Sequence, residues 1–242
     1  MSTVYLLTFR GIDERLTGNM LDRLAYPLPT GWMRVEVPWT ASYGRTSSYA
    51  RSLEQGMALG EQTIREIKAA EPWAKIILAG YSGGAALAGN LANKLPSLID
   101  GVVLVADPNY PGTGGDFGIA GARRVNAVPV RYVVNPGDII CCCPALSPLR
   151  ILATLSPRMA LGERSAWAAD VRQKLADRKT RLEMAEQIGP WWLPATWARY
   201  DRAKVGVDGY LSGREHQAAY TRAAPGGSLM ARARVWLLDL VG

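Results

Sequence analysis

The sequence predicts an α/β protein with a central, mostly parallel sheet flanked by helices. Two patterns carry that expectation. Several short runs are apolar without polar alternation, as suits strands buried on both faces, and helical patterns separate them. One of these runs leads directly into Gly80-Tyr81-Ser82-Gly83-Gly84, and an alanine-rich segment follows at once.

The elements read in order as follows. Val4–Phe9 is a buried first strand closed by Arg10-Gly11, and residues 32–37 form a second strand ending at Pro38. Between them Pro27, Pro29 and Gly31 mark a loop. Residues 47–70 carry Leu53, Met57, Leu59, Ile64 and Ile67 at three- and four-residue spacings, which predicts a helix with one face on the sheet. Residues 75–79 are a strand and 85–95 a helix rich in alanine and leucine. Residues 102–106 and 130–134 are further strands, each followed by a turn with an aspartate, Asp107-Pro108 and Asn135-Pro136-Gly137-Asp138.

From about 144 to 208 the rhythm changes. A proline-punctuated stretch, one charged helix over about 165–187 and the cluster Trp191, Trp192, Leu193, Trp197 and Tyr200 read as a helical insertion or cap within a single domain, 1–242. Residues 228–241 form a closing helix.

At 242 residues with 48% hydrophobic content, the chain can bury a full core. No run approaches the roughly 18–20 apolar residues of a membrane span, and no charged start, apolar core and cleavage site mark a leader, so the expectation is a soluble protein made inside a cell. Cys141, Cys142 and Cys143 are adjacent, which excludes a long-range disulfide framework and suits free thiols. With the one histidine far away in sequence, a thiol metal site lacks ligands. The net charge of +7 attracts polyanions without choosing among nucleic acid, anionic lipid and wall polymer. The basic residues of 172–181 alternate with acids and read as a solvated helix face rather than a nucleic-acid surface.

Gly80 to Gly84 fits Gly-x-Ser-x-Gly between strand and helix. That spacing suits a strained elbow that lifts a serine hydroxyl above the sheet and needs small residues beside it. Ser82 is thus the candidate nucleophile of an α/β-hydrolase-type serine esterase. His216, the single histidine, is the candidate base, in the polar loop 212–216 before the closing helix. Asp107 and Asp138 both follow strands; Asp138 is preferred as orienting acid because it lies further round the sheet, with Asp107 a structural turn residue near the site. Gly83 offers one oxyanion donor, and the turn after the first strand a second, from Ile12 or Gly11. Arg10 either lines the site or is a surface charge. Tyr81 neighbours the nucleophile and is a candidate substrate contact. Trp191, Trp192 and Trp197 are candidates for cap core, an apolar wall for an acyl chain, or both.

The segments 6–11, 79–85, 106–112 and 136–138, with His216 and Tyr220 as a looser match, resemble the cutinase-like α/β hydrolases, and most closely the lysin B esterases of mycobacteriophages. The resemblance covers about residues 1–140 and a short C-terminal piece. It implies hydrolysis of the ester joining mycolic acids to wall arabinogalactan, releasing the outer lipid layer during host lysis. It also implies no metal or organic cofactor, with synthesis in the host cytoplasm and action at the envelope; from the charge pattern no nucleic-acid partner is expected. Arg10-Gly11 stands where these enzymes commonly carry His-Gly. Secreted cutinases join a cysteine near the catalytic aspartate to a distant one, a pairing impossible here. Alternatives are an esterase or lipase acting on shorter acyl esters, or a non-catalytic wall-binding or virion-associated protein on the same fold.

Overall fold

The computed structural model describes residues 2–160 and 164–241. Met1, Leu161, Gly162, Glu163 and Gly242, all within the expected domain 1–242 and three of them within the expected insertion, lie outside the described residues.

The first half of the chain runs β1 (Val4–Phe9), α1 (Asp22–Ala25), β2 (Trp32–Glu36), α2 (Tyr49–Ala70), β3 (Lys75–Tyr81), α3 (Gly83–Lys94) and β4 (Gly101–Val105). Then come β5 (Asp116–Phe117), β6 (Val130–Val133) and β7 (Cys143–Pro144). The helices α4 (Leu149–Leu155), α5 (Arg164–Ala176), α6 (Arg178–Ile188) and α7 (Pro194–Leu211) follow, and α8 (Ala219–Thr221) and α9 (Leu229–Asp239) close the fold.

Five strands make one sheet in the order β2-β1-β3-β4-β6, every pair parallel, while β5 and β7 form a small antiparallel ribbon. Period-two alternation sends successive side chains to opposite faces. Leu7, Phe9, Ile76, Leu78, Val102 and Leu104 pack with Ile64, Leu87 and Leu91 of α2 and α3. Their neighbours Leu6, Ile77, Ala79, Val103 and Val105 pack with Leu21, Leu24, Met230 and Leu237 of α1 and α9 and the turns beside them. Both faces of the central strands β1, β3 and β4 are therefore buried, which is why these strands read as continuous apolar runs.

Helix α2 starts one residue after Ser48, whose hydroxyl accepts from the Arg51 amide. Its most buried positions are Ser52, Gly56, Gly60 and Ile64, with Leu53, Met57, Leu59 and Ile67 only partly covered. Small residues occupy the contact because α3 comes close: a Cβ on Gly56 would lie 2.1 Å from Leu87 Cδ1.

The single charged helix expected over 165–187 is two helices. Asp177 adopts an extended conformation between them and its carboxylate accepts from Thr180 N at 2.7 Å, starting α6 afresh. The root of the insertion is tied down by Arg150, which is buried and donates to the carbonyls of Phe117, Gly118 and Cys143. Among the described residues no helix is long and apolar enough to cross a membrane.

Candidate active site

Ser82, Asp107 and Asp138 all follow carboxyl ends of sheet strands, the edge where parallel α/β sheets bind ligands. Ser82 stands between β3 and α3 with φ 54° and ψ −121°, a conformation an L residue adopts only when its surroundings impose it. They do so through close packing. A Cβ on Gly84 would lie 2.0 Å from the Phe9 carbonyl oxygen, and one on Gly80 would lie 2.3 Å from that of Gly84. The elbow thus needs glycine two residues either side of the serine.

His216 Nε2 lies 2.9 Å from Ser82 Oγ, and His216 Nδ1 lies 2.8 Å from Asp138 Oδ2. The histidine is not in a loop. It occupies a wide helical turn, Arg214–Ala218, that opens where Gly213 (φ 71°) ends the run of α7. Asp138, 1% exposed, also accepts from the Tyr220 hydroxyl at 2.8 Å and from the Ile140 amide at 3.0 Å. Burial, with Cys141 and Asp138 alongside, pushes the Tyr220 hydroxyl well above the usual phenol range, so it remains a donor. Asn135 Nδ2 donates to the Glu215 carbonyl at 2.8 Å and to its carboxylate at 2.9 Å, latching the aspartate turn to the histidine turn. Tyr220 was visible in the sequence without a role; its signal was the four-residue step from His216, one helical turn.

Asp107 does not reach the histidine cluster. It is buried against Arg123, Nη2 to Oδ2 at 2.6 Å, and Arg123 also donates to the Ala86 carbonyl and to Asn90 Oδ1 on α3. Burial pushes the Asp107 carboxyl up, and Arg123 with the Asn109 amide pulls it only part of the way back.

Gly83 begins α3, so its amide has no partner within the helix. Ile12 faces it: a Cβ on Gly83 would lie 2.9 Å from the Ile12 side chain. The Gly11 amide is already engaged by Glu14 Oε2 at 2.7 Å, whereas the Ile12 amide has no acceptor among the described residues. Of the two alternatives for a second oxyanion donor, the geometry therefore leaves Ile12. The Glu14 carboxylate holds this turn in shape by also accepting the Met20 amide at 3.0 Å.

Of the five expected substrate contacts, Arg10 and the three tryptophans lie away from the cleft, and Tyr81 only borders the smaller space beside Ser82 and His216. Arg10 is neither in the cleft nor on the surface; it is buried, donating to the Glu14 carbonyl at 2.8 Å and the Trp39 carbonyl at 2.7 Å. Tyr81 is 2% exposed and lies behind the histidine, its hydroxyl donating to the His216 carbonyl at 2.6 Å and its ring stacked on the imidazole at 5.1 Å. Trp191, Trp192 and Trp197 form neither cap core nor acyl wall: they are 73%, 67% and 60% exposed. The helices around them supply little core to enter, since α6 buries no residue and α7 only Thr196, Ala203 and Gly209.

The wall of the cleft is built from residues that no motif marks. A cavity of about 310 Å³ opens at Ser82 and Gly83 and is lined by Tyr49, Ile139, Leu149, Leu152, Ala153 and Val207, among others. Beside Ser82 and His216 lies a smaller space of about 230 Å³ bordered by Glu14, Tyr81, Tyr210 and Gln217. It adjoins a polar surface groove with Glu14, Asn19, Arg23, Arg214 and Gln217. The three cysteines carry free thiols, Cys141 buried with its Sγ 3.4 Å from the Tyr220 hydroxyl.

Fold and site together define a serine carboxylester hydrolase of the α/β-hydrolase class. Residues 17–150 match the cutinase family, and the chain belongs to that family. The catalytic core of acetyl xylan esterase from Trichoderma reesei superposes with a TM-score of 0.50 at 15% identity, covering 71% of this chain and 98% of that one. Lysin B from mycobacteriophage D29 gives a TM-score of 0.49 at 17% identity, covering 84% and 98%. At 15% identity the likeness to the acetyl xylan esterase core speaks for the fold alone. No curated protein matches the chain.

Proposed function

We propose that this protein hydrolyses long-chain esters of a mycobacterial-type cell envelope, with the mycolyl ester of arabinogalactan as its reference substrate, through an acyl-enzyme on Ser82. The observation that carries this reading is the hydrogen-bonded series Ser82, His216, Asp138 at 2.9 and 2.8 Å, with an apolar cavity at Ser82 and a smaller space beside Ser82 and His216 that shares Glu14 and Gln217 with a polar groove. An apolar cavity suits an acyl chain. Hydroxyl-rich alcohols suit the groove of Glu14, Asn19, Arg23, Arg214 and Gln217, whose donors and acceptors match a sugar.

In this mechanism His216 takes the Ser82 proton as Oγ attacks the acyl carbon, and Asp138 holds the ring and stabilises the imidazolium. The amides of Gly83 and Ile12 receive the oxyanion. The imidazolium returns its proton to the departing alcohol, and water then releases the acid by the same steps. No cofactor enters this scheme. The sequence resemblance to phage lysin B enzymes supports placing the protein's action at the envelope after synthesis in a host cytoplasm.

The test is hydrolysis of p-nitrophenyl esters from butyrate to palmitate by the native enzyme and Ser82→Ala, alongside release of free mycolic acid from purified cell wall. Turnover rising toward palmitate, mycolate release and loss of both in Ser82→Ala support the proposal. The bounded cavity of about 310 Å³ favours a second reading, a shorter acyl group, which a maximum at butyrate without mycolate release would select.

A further inference from the structure

The second oxyanion donor sits in a stretch with no regular structure to aim it. Residues 10–21 belong to no strand or helix, so the direction of each amide there depends on what it bonds. Glu14 supplies most of those bonds. Its Oε2 accepts the Gly11 amide at 2.7 Å and its Oε1 the Met20 amide at 3.0 Å, while its own amide donates to the Gly11 carbonyl at 3.2 Å. Arg10 Nε in turn donates to the Glu14 carbonyl at 2.8 Å. On the far side of Ile12, the Asp13 amide is held by the Ala41 carbonyl at 2.8 Å. The Ile12 amide, without an acceptor among the described residues, thus stands between two anchored neighbours, and the Ile12 side chain meets Gly83. Glu14 also borders the space beside Ser82 and His216.

We infer that Glu14 is a positioning residue for the reaction: its carboxylate holds the turn at Gly11 and Ile12 so that the Ile12 amide is ready for the oxyanion that forms beside Gly83. A donor fixed before the charge develops costs no reorganisation during the step. A carboxylate suits this place because both oxygens accept and neither donates, and an ionised acceptor makes the stronger bond to an N–H group. A neutral carboxyl keeps one accepting oxygen and presents an O–H where the other amide needs an acceptor, so uptake of one proton undoes half of the hold. Burial pushes the Glu14 carboxyl up, and the Gly11 and Met20 amides pull it only part of the way back. Of the charged groups that face it, Glu36 of β2 pushes the same way and His216 opposes it; Arg10 lies on its own turn, and Arg23 and Arg214 line the groove with it. As pH falls, the hold is therefore lost above the ordinary carboxylate range. The inference rests on the acyl-enzyme reading, because the oxyanion forms only when Ser82 attacks.

The test compares the native enzyme with Glu14→Gln, which keeps the shape of the side chain but turns one of its two acceptors into a donor facing an amide. On dissolved p-nitrophenyl butyrate the variant should lose about 10- to 100-fold in kcat with KM near native, less than the loss of an oxyanion donor outright. In the native enzyme the acid limb of kcat/KM should steepen from one proton to two where Glu14 takes up its proton, and Glu14→Gln should keep a one-proton limb. Circular dichroism at each pH shows whether the fold persists. A second readout needs no ester turnover. An ethyl p-nitrophenyl alkylphosphonate reacts once: the bond from Ser82 Oγ to phosphorus forms as the bond to p-nitrophenolate breaks, the serine proton passes to His216, and the phosphoryl oxygen takes the place of the oxyanion. Labelling of Glu14→Gln should slow by the same factor as kcat. Native-like kcat and labelling in Glu14→Gln overturn the inference, as does a loss confined to KM or a one-proton limb in the native enzyme. If Glu14→Gln does not fold, the native limb decides. Slower labelling of the variant with no ester turnover by the native enzyme leaves the role of Glu14 standing and sinks the ester reading instead.

Discussion

Strands β1, β3 and β4 bury every residue except Tyr5 and Lys75, whereas α6 buries none of its residues and α7 only Thr196, Ala203 and Gly209. Both regions reach the same cavity. The sheet presents Ser82, with Asp107 and Asp138 beyond neighbouring strand ends; the insertion presents Leu149, Leu152, Ala153 and Val207. Chemistry that tolerates little displacement is placed where movement would disturb a packed core, and substrate shape is left to a thin layer where side chains can change at little cost to the fold. His216 joins the two, since α7 runs directly into its turn while Asn135 and Tyr81 fasten it to the sheet.

If that division holds, Asp138→Asn should cost about 10⁴-fold in kcat with the fold intact, because the imidazole loses the partner that sets its tautomer. Steady-state kinetics and circular dichroism on the same sample check it, and loss limited to a few fold would break the assignment. Asp107→Ala should do the opposite. Removing one side of a buried ion pair costs about 3–5 kcal/mol of stability, read by denaturant unfolding, while turnover per folded molecule stays close to native.

In the insertion, Ala153→Phe should shorten the cavity, lowering kcat/KM for a palmitate ester by about 10- to 100-fold and leaving butyrate hydrolysis near native. An equal loss on both esters would show that the insertion supports the catalytic groups themselves. The smallest effect is expected from Tyr220→Phe, which removes one hydrogen bond to Asp138, about 0.5–1.5 kcal/mol. It should lower kcat by that amount without raising KM, and a KM effect alone would move Tyr220 from positioning the acid to shaping the cavity.

Much of the scaffold was legible in the chain because its signals are local. Apolar runs without alternation gave strands within one or two residues, and the elbow announced itself through glycine spacing that backbone contact demands. The insertion was less legible for a physical reason: its helices lie on the surface, so hydrophobic periodicity is weak, and Asp177 could be seen as one more charge on a long helix rather than as the cap that divides it. The tryptophans illustrate the same limit. Hydrophobicity states that a side chain gains from leaving water, but not whether a core exists nearby to receive it.

By itself the sequence determined the parallel α/β scaffold, the strained serine turn and the shortlist of acids and base, since each depends on residues adjacent in the chain. Only the tertiary structure decided that Asp138 rather than Asp107 meets His216, that Ile12 rather than Gly11 keeps an amide without an acceptor among the described residues, and that the cavity is walled by α4 and α7. These are outcomes of packing between segments tens of residues apart, where one buried arginine beside Asp107 and one glutamate beneath Gly11 settle which groups remain available for chemistry.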